Sequence, residues 1–118
     1  MKNAMGLNVK ITAAHAHRAR WRALFGALGV TKIEAPPNAE IACLDDGGHV
    51  GVFFVDAGDA LPDELAARAP WLELRVGDVD VAIRALDALD TPRLDYTDKT
   101  HVYFRAPGGV VFRLAPLA

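Results

Sequence analysis

Two segments in the second half of the chain decide its predicted fold: LELRVGDVDVAIRAL at residues 72–86 and VYFRAPGGVVFRL at residues 102–114. The first segment begins with alternating apolar and polar residues, the period of a half-buried strand. It then changes to apolar residues at helical spacing behind Asp78, whose carboxylate can cap the helix. The second segment is rich in strand-forming residues and is divided by the turn sequence at residues 107–109. These patterns predict a strand, a helix and a strand hairpin.

The whole chain repeats this order. In the second half, the predicted strands are residues 71–76, 93–96, 101–105 and 110–114, and Thr91-Pro92 ends the helix. In the first half, a strand at residues 7–13 precedes a helix within residues 15–29, and strands follow at residues 31–34, 40–44 and 49–55. Trp21, Leu24, Phe25 and Leu28 form the apolar stripe of the first helix. Each half therefore has the order β-α-β-β-β.

The two halves match each other under one nearly constant shift along the chain. Asn8 in the first strand corresponds to Trp71, and Gly51 in the fourth strand corresponds to Arg113, with a slip of a single residue. A chain of 118 residues favours a single domain. We therefore predict one α+β domain spanning residues 1–118. Within it, module one spans residues 6–55, a connector with a short helix spans residues 56–70, and module two spans residues 71–116.

Composition limits the class of protein but does not identify a function. Apolar residues make up 52% of the chain, which is enough to fill a core. A net charge of -2 gives no electrostatic reason to expect nucleic acid or an anionic membrane as a partner. The single cysteine, Cys43, cannot form an internal disulfide, and no apolar run reaches the roughly 20 residues of a membrane span. We expect a soluble cytoplasmic protein in which Cys43 is a small buried hydrophobe without a neighbouring base.

The quoted segments resemble the C-terminal module of vicinal oxygen chelate proteins, the group of glyoxalases, bleomycin-resistance proteins and extradiol dioxygenases. In that module a strand of the type H-x-x-L-x-V leads into a D-(V/L)-(D/E)-x-A-I helix, and the module closes on Y-F-x-D-P-x-G-x-x-x-E-L. Here the closing segment runs from Tyr103 to Leu114. The resemblance implies two tandem βαβββ modules forming a curled mixed-sheet cup.

The resemblance also implies four positions at which metal-using members carry ligands, usually His or Glu, with Gln in some. In this chain they are Asn8 (or Val9, if the register slips by one), Gly51, Trp71 and Arg113. Arg113 places a permanent positive charge where a dication would bind. We therefore predict no metal and no cofactor. The alternative is a divalent metal at an off-pattern site made by His49, Glu73 and His101.

A cup without metal ligands suits an organic ligand. The candidate ligand-binding residues are Trp71, Glu73, Tyr103, Arg113, His49, His101 and Asn8. Aromatic rings provide stacking area, and an arginine can hold a carboxylate or phosphate through paired donors. We predict a metal-free binder of a small planar or anionic organic molecule. In the opposing interpretation Arg113 pairs with Glu73 or Glu40 at a rim, and Trp71 is a core or dimer residue.

Two further expectations concern catalysis and assembly. A vicinal oxygen chelate enzyme of the lyase, isomerase or dioxygenase type is the alternative function, with His101 or Glu73 as the candidate general acid or base. Proteins of this family usually pair, and free sheet edges favour association, so a homodimer is expected. We expect His15 and His17 to lie at an exposed helix start, and Arg18, Arg20 and Arg22 to form the solvated face of that helix.

Overall fold

The computed structural model describes residues 1–117, and within them the two predicted βαβββ modules are confirmed. Module one contains β1 (Asn8–Ala14), α1 (Arg18–Ala27), β2 (Lys32–Glu34), β3 (Ala39–Cys43) and β4 (His49–Val55). The connector contains α2 (Asp63–Ala66). Module two contains β5 (Leu72–Val76), α3 (Val79–Ala88), β6 (Arg93–Leu94), β7 (Val102–Arg105) and β8 (Val111–Pro116). Short 3-10 turns cover His15–His17 and Ala57–Asp59.

Each module forms one four-stranded mixed sheet. The first sheet has the order β1-β4-β3-β2 and the second has the order β5-β8-β7-β6. The first and last strands of each module are parallel, and the remaining pairs are antiparallel. A parallel pair needs a long crossover, which α1 and α3 provide within their modules. This shared topology is the physical form of the repeat found in the sequence.

The helices lie on the inner sides of both sheets. The fully buried Trp21 of α1 contacts Phe112 of β8, with ring centroids 6.2 Å apart, and Phe112 stacks on Phe104 of β7 at 5.5 Å. Residues of both modules therefore belong to one hydrophobic core. The opposite sides of the sheets face away from this core. We call them the open face of the first sheet and the open face of the second sheet.

The helix of module two begins as its sequence predicts. Asp78 accepts a hydrogen bond from the Val81 N–H at 3.0 Å, which satisfies one of the free donors of the first turn.

The strand predicted at residues 93–96 is shorter in the structure, because β6 ends at Leu94. The chain then leaves the sheet in a loop, where Asp98 accepts a hydrogen bond from the Thr100 N–H at 2.9 Å.

The predicted solvated face of the first helix is confirmed for Arg20 and Arg22, which are exposed, whereas Arg18 is partly buried. Glu40, on the inner side of β3, is only 2% exposed. Arg18 donates to it at 3.0 Å, and Arg22 donates to it at 2.8 Å while remaining 57% exposed. Burial by itself raises the pKa of Glu40, but hydrogen bonds from Arg22 and Arg18 outweigh it and hold the pKa below its usual value. The three side chains form an ion pair network that fastens α1 to the first sheet.

Candidate functional site

The open face of the second sheet carries a compact group centred on Arg113. On β8, Arg113 is the register partner of Glu73 on β5 and of Tyr103 on β7, so the three side chains lie on one face. The Arg113 Nε donates to Glu73 Oε2 at 2.8 Å, and its Nη2 contacts the same oxygen. Its guanidinium carbon lies 4.5 Å from the centroid of the Trp71 ring, which is a cation–π arrangement.

Three aromatic rings form a layer beside this arginine. Tyr103 is 5% exposed and lies between Trp71, at a centroid distance of 5.8 Å, and Tyr96, at 4.6 Å. Both contacts are edge-to-face, a favourable geometry for aromatic pairs. Trp71 keeps 42% of its surface exposed. A flat apolar surface is therefore available to solvent next to a guanidinium group.

Asp98 connects the polar ends of this group and was missed in the sequence analysis. Its carboxylate accepts hydrogen bonds from the Tyr103 hydroxyl at 2.9 Å and from the His101 Nδ1 at 2.8 Å. Hydrogen bonds from the side chain and backbone of Thr100, then His101 and Tyr103, hold the pKa of Asp98 well below its usual value. Because a carboxylate only accepts, the His101 Nδ1 is the donor of this hydrogen bond, and in the neutral ring Nε2 is then the acceptor. We call Trp71, Glu73, Tyr96, Asp98, His101, Tyr103 and Arg113 the Trp71 cluster.

The charges of the Trp71 cluster are largely compensated. Arg113 pairs with Glu73 and has its Nη1 3.8 Å from Asp98. Arg75, mostly exposed, has its Nε 4.0 Å from the other carboxylate oxygen of Glu73. Of the two rim partners considered for Arg113, the structure shows Glu73 and not Glu40. An anionic ligand would therefore have to share Arg113 with, or take it from, Glu73.

The predicted site residues Asn8 and His49 lie on the other sheet. They are register partners at the start of β1 and β4, and the His49 Nδ1 is 3.1 Å from the Asn8 Oδ1. Both are exposed on the open face of the first sheet, whereas Val9 packs against the core, which decides the register in favour of Asn8. The structure brings Trp71, Glu73, Tyr103, His101 and Arg113 together and leaves this pair apart from them.

Gly51 on β4 has a local explanation. A Cβ atom placed there would lie 2.9 Å from the ring of Phe53, so this ring covers the space that a side chain would fill. The ammonium of Lys10, the register partner of Gly51, lies 5.3 Å from the centroid of the same ring. At Gly51, where the family resemblance implies a metal ligand, the structure therefore has the Phe53 ring with the Lys10 ammonium over it.

The residues present do not match the family's metal site. The four family positions hold Asn8, Gly51, Trp71 and Arg113, and the last two form the cation–π pair. Among residues 1–117, no group of three or more His, Cys, Asp and Glu side chains is arranged to hold a metal ion. The off-pattern set is also divided, because His49 belongs to the first sheet and Glu73 and His101 to the second.

A second concave feature lies beside β1, and the sequence analysis did not anticipate it. It is a mainly apolar groove of ≈ 780 Å³. Its walls are residues 9–14 of β1, parts of the connector between residues 57 and 70, Leu72, and the turn at residues 107–110. Residues of the Trp71 cluster do not line it, so it is separate from the candidate site.

Comparison with known proteins supports the fold. Protein-family models and curated protein sequences give no match to the chain. Among solved structures, a glyoxalase/bleomycin resistance protein from Albidiferax ferrireducens T118 superposes with a TM-score of 0.69 at 16% identity, covering 94% of this chain and 98% of the other. The chain has the vicinal oxygen chelate fold.

Two further solved structures show how varied the proteins with this fold are. The fosfomycin resistance protein FosX from Mesorhizobium loti has a TM-score of 0.66 at 11% identity, with 100% of this chain and 95% of the other covered. Oxidase ChaP-H1 has a TM-score of 0.70 at 14% identity, with 98% of each chain covered. At these identities the vicinal oxygen chelate fold is shared, while function depends on the site. In the part of the chain described, no helix is long and apolar enough to cross a membrane.

Proposed function

We propose that the protein binds a small planar organic acid, without a metal, at the Trp71 cluster. The observation that carries the proposal is the Arg113 guanidinium lying 4.5 Å above the half-exposed Trp71 ring, at two positions where the family resemblance implies metal ligands. An aromatic plane next to a guanidinium provides stacking area and paired donors for a carboxylate.

Glu73 supplies a way for the ligand to reach Arg113. It stands between Arg113 and Arg75, contacting the first closely and the second at 4.0 Å. A ligand carboxylate could take the Arg113 donors while Glu73 turns toward Arg75. Because the Arg113–Glu73 pair is partly exposed, with side chains 24% and 30% accessible, its exchange for another carboxylate costs little.

A second copy of the chain would complete the cup. The core joins the inner sides of the two sheets, so the open face of the second sheet is not covered by the first sheet of the same chain. An open face of a partner subunit could close over the Trp71 cluster and exclude water from a bound ligand. Analytical ultracentrifugation should give a homodimer, and a monomer at all concentrations would remove this part of the proposal.

The test uses 2-naphthoate as a planar acid and 2-naphthalenemethanol as its uncharged counterpart, both titrated by calorimetry. Wild-type protein should bind the acid more tightly than the alcohol. Arg113→Gln should weaken binding of the acid about tenfold, the loss expected for one charge-assisted contact, and leave the alcohol unchanged. Glu73→Gln should strengthen binding of the acid, because it removes the competing carboxylate.

Arg84→Gln is the matched control, since Arg84 is an exposed residue of α3 away from the second sheet's open face. Its binding of 2-naphthoate should equal that of the wild type. Equal binding of the acid by the Arg113 and Arg84 variants, or no binding by the wild type, would refute the proposed function.

One observation favours a second candidate, proton transfer without a metal. Asp98 holds the His101 Nδ1–H at 2.8 Å, which leaves Nε2 free to accept a proton from a ligand in the Trp71 cluster. Nitrogen NMR should show the Nδ1–H tautomer in the wild type and its loss in Asp98→Asn, whose amide can also donate. An Nε2–H tautomer in the wild type would exclude this role for His101.

A further inference from the structure

The Trp71 cluster consists of a row of aromatic rings and a row of polar groups. The aromatic row contains three rings in edge-to-face contact: Trp71, Tyr103 and Tyr96. In the polar row, the Asp98 Oδ2 is 2.8 Å from the His101 Nδ1 and 3.8 Å from the Arg113 Nη1. A planar acid held at Arg113 would therefore bind next to a carboxylate that also anchors His101.

His101 projects from the open face of the second sheet. It comes directly before β7, and alternate residues of a strand point to the same side, so His101 shares the side of Tyr103. Val102, between them, packs against the core. The His101 side chain is 31% accessible. The imidazole can therefore be reached by a ligand that lies on this open face.

Two neighbours fix which nitrogen of the His101 ring donates. Its Nδ1 is 2.8 Å from the Asp98 carboxylate and 3.1 Å from the Thr100 Oγ1. The Thr100 hydroxyl gives its own proton to the other oxygen of Asp98, at 2.6 Å, so its oxygen can only accept from the imidazole. Nδ1 is therefore the donor to both neighbours, and in the neutral ring Nε2 is an acceptor.

The carboxylates of the Trp71 cluster have little acceptor capacity left for a ligand. Asp98 takes four hydrogen bonds, from the Thr100 N–H, the Thr100 hydroxyl, the His101 Nδ1 and the Tyr103 hydroxyl. Glu73 is occupied by arginine side chains. By contrast, no group among residues 1–117 donates to the His101 Nε2. This nitrogen is thus an unused acceptor at the edge of the proposed ligand site.

We propose that the ligand is an aromatic acid that carries a hydrogen-bond donor on its ring, either a hydroxyl or a ring N–H. The donor binds the His101 Nε2 while the carboxylate binds Arg113. This ligand class rests on the proposed function, since both contacts belong to the same bound molecule. His101 is the specificity-determining residue and Asp98 its positioning residue, and a hydrogen bond is sufficient without proton transfer.

The experiment compares hydroxy with methoxy compounds, because a methoxy group cannot donate a hydrogen bond. Calorimetry measures the dissociation constants of 4-hydroxy-2-naphthoate, 6-hydroxy-2-naphthoate, 7-hydroxy-2-naphthoate and their methoxy counterparts. In the wild type, at least one hydroxy isomer should bind about fivefold more tightly than its counterpart, the gain expected for one neutral hydrogen bond. In His101→Leu this preference should disappear, while 2-naphthoate itself should still bind.

Asp98→Asn tests the positioning role by the same preference. The Thr100 N–H can only donate, so the oxygen of the new amide stays toward it and the amide NH₂ turns toward His101. His101 must then accept at Nδ1 and carry its proton on Nε2. The preference for a hydroxyl should therefore disappear in this variant as well, and a preference equal to that of the wild type would remove the role of Asp98.

His15→Leu is the matched control, because His15 is an exposed histidine in the 3-10 turn before α1. It should keep the wild-type preference, and urea unfolding should confirm that every variant is folded. Wild-type protein that binds 2-naphthoate but prefers no hydroxy isomer would overturn the inference and leave the proposed function standing. So would a His101→Leu variant that keeps the preference. Failure of 2-naphthoate to bind would refute the proposed function and this inference with it.

Discussion

The guanidinium of Arg113 lies over the indole of Trp71, with Cζ 4.5 Å from the ring centroid. The two residues come from β8 and from the position immediately before β5, and the parallel pairing of these strands brings them together. The same pairing is what would bring two metal ligands together at these positions. The strand geometry is thus retained while the chemistry of the two side chains is different.

The first prediction concerns divalent metal ions. Zn²⁺, Ni²⁺ and Mn²⁺ should leave the melting temperature of the protein unchanged, because Arg113 would repel a dication at this position. The measurement is thermal unfolding with each metal and with a chelator. A saturable rise in melting temperature with any of the three ions would contradict the prediction.

The second prediction concerns the buried carboxylate. Glu40→Gln should lower the free energy of unfolding by about 2 kcal/mol, because the buried side chain loses its charge-assisted hydrogen bonds from Arg18 and Arg22. Glu34→Gln, at an exposed position of the neighbouring strand, should change it by no more than about 0.5 kcal/mol. Urea unfolding measures both, and equal effects would show that the ion pair network contributes no more than a surface contact.

The third prediction is a loss of stability in acid. The pKa values of Glu40 and Asp98 are lowered by folding, so the unfolded chain binds more protons than the folded one as pH falls through their usual values of 4.5 and 3.8. Their stabilising contributions are complete above these values and are lost as pH falls toward the folded-state pKa values. The free energy of unfolding in urea should decline between about pH 5 and pH 3, and less steeply in Glu40→Gln.

The fourth prediction compares two glycines with positive φ. A Cβ at Gly109, with φ +102°, would lie 2.3 Å from the Asp63 carbonyl oxygen of α2, whereas a Cβ at Gly29, with φ +86°, would meet nothing within 4 Å. Gly29→Ala should cost about 1 kcal/mol for the backbone conformation alone. Gly109→Ala should cost about 3 kcal/mol or more, because α2 must also move. Similar losses of unfolding free energy would show that α2 moves aside easily.

The fold was predictable because its main signals are local. Alternating residues in β5, the Asp78 cap and the turn before β8 each act within a few residues, and all three lie where expected. The family resemblance also singled out Trp71 and Arg113 as site residues, and their side chains are in contact. The ion pair of Arg113 with Glu73 was one of two interpretations left open, since sequence spacing does not choose between carboxylates on different strands.

Other features depended on long-range packing. Asp98 was missed because it lies in a loop without periodicity, and only the fold brings it to the polar ends of Tyr103 and His101. The pairing of Arg18 and Arg22 with Glu40 was also missed, because arginines four residues apart on a helix are equally typical of a fully solvated face. The available signal was Glu40, a lone carboxylate within an otherwise apolar strand, which needs a cationic partner if it is buried.

Packing both helices between the sheets has a consequence for how such a protein can change. Substitutions on either exterior surface leave the interior that determines folding untouched, so new side chains can be tried there at small energetic risk. One exterior surface carries the Trp71 cluster and the other carries the hydrogen-bonded pair of Asn8 and His49, and each is free to diverge without the other.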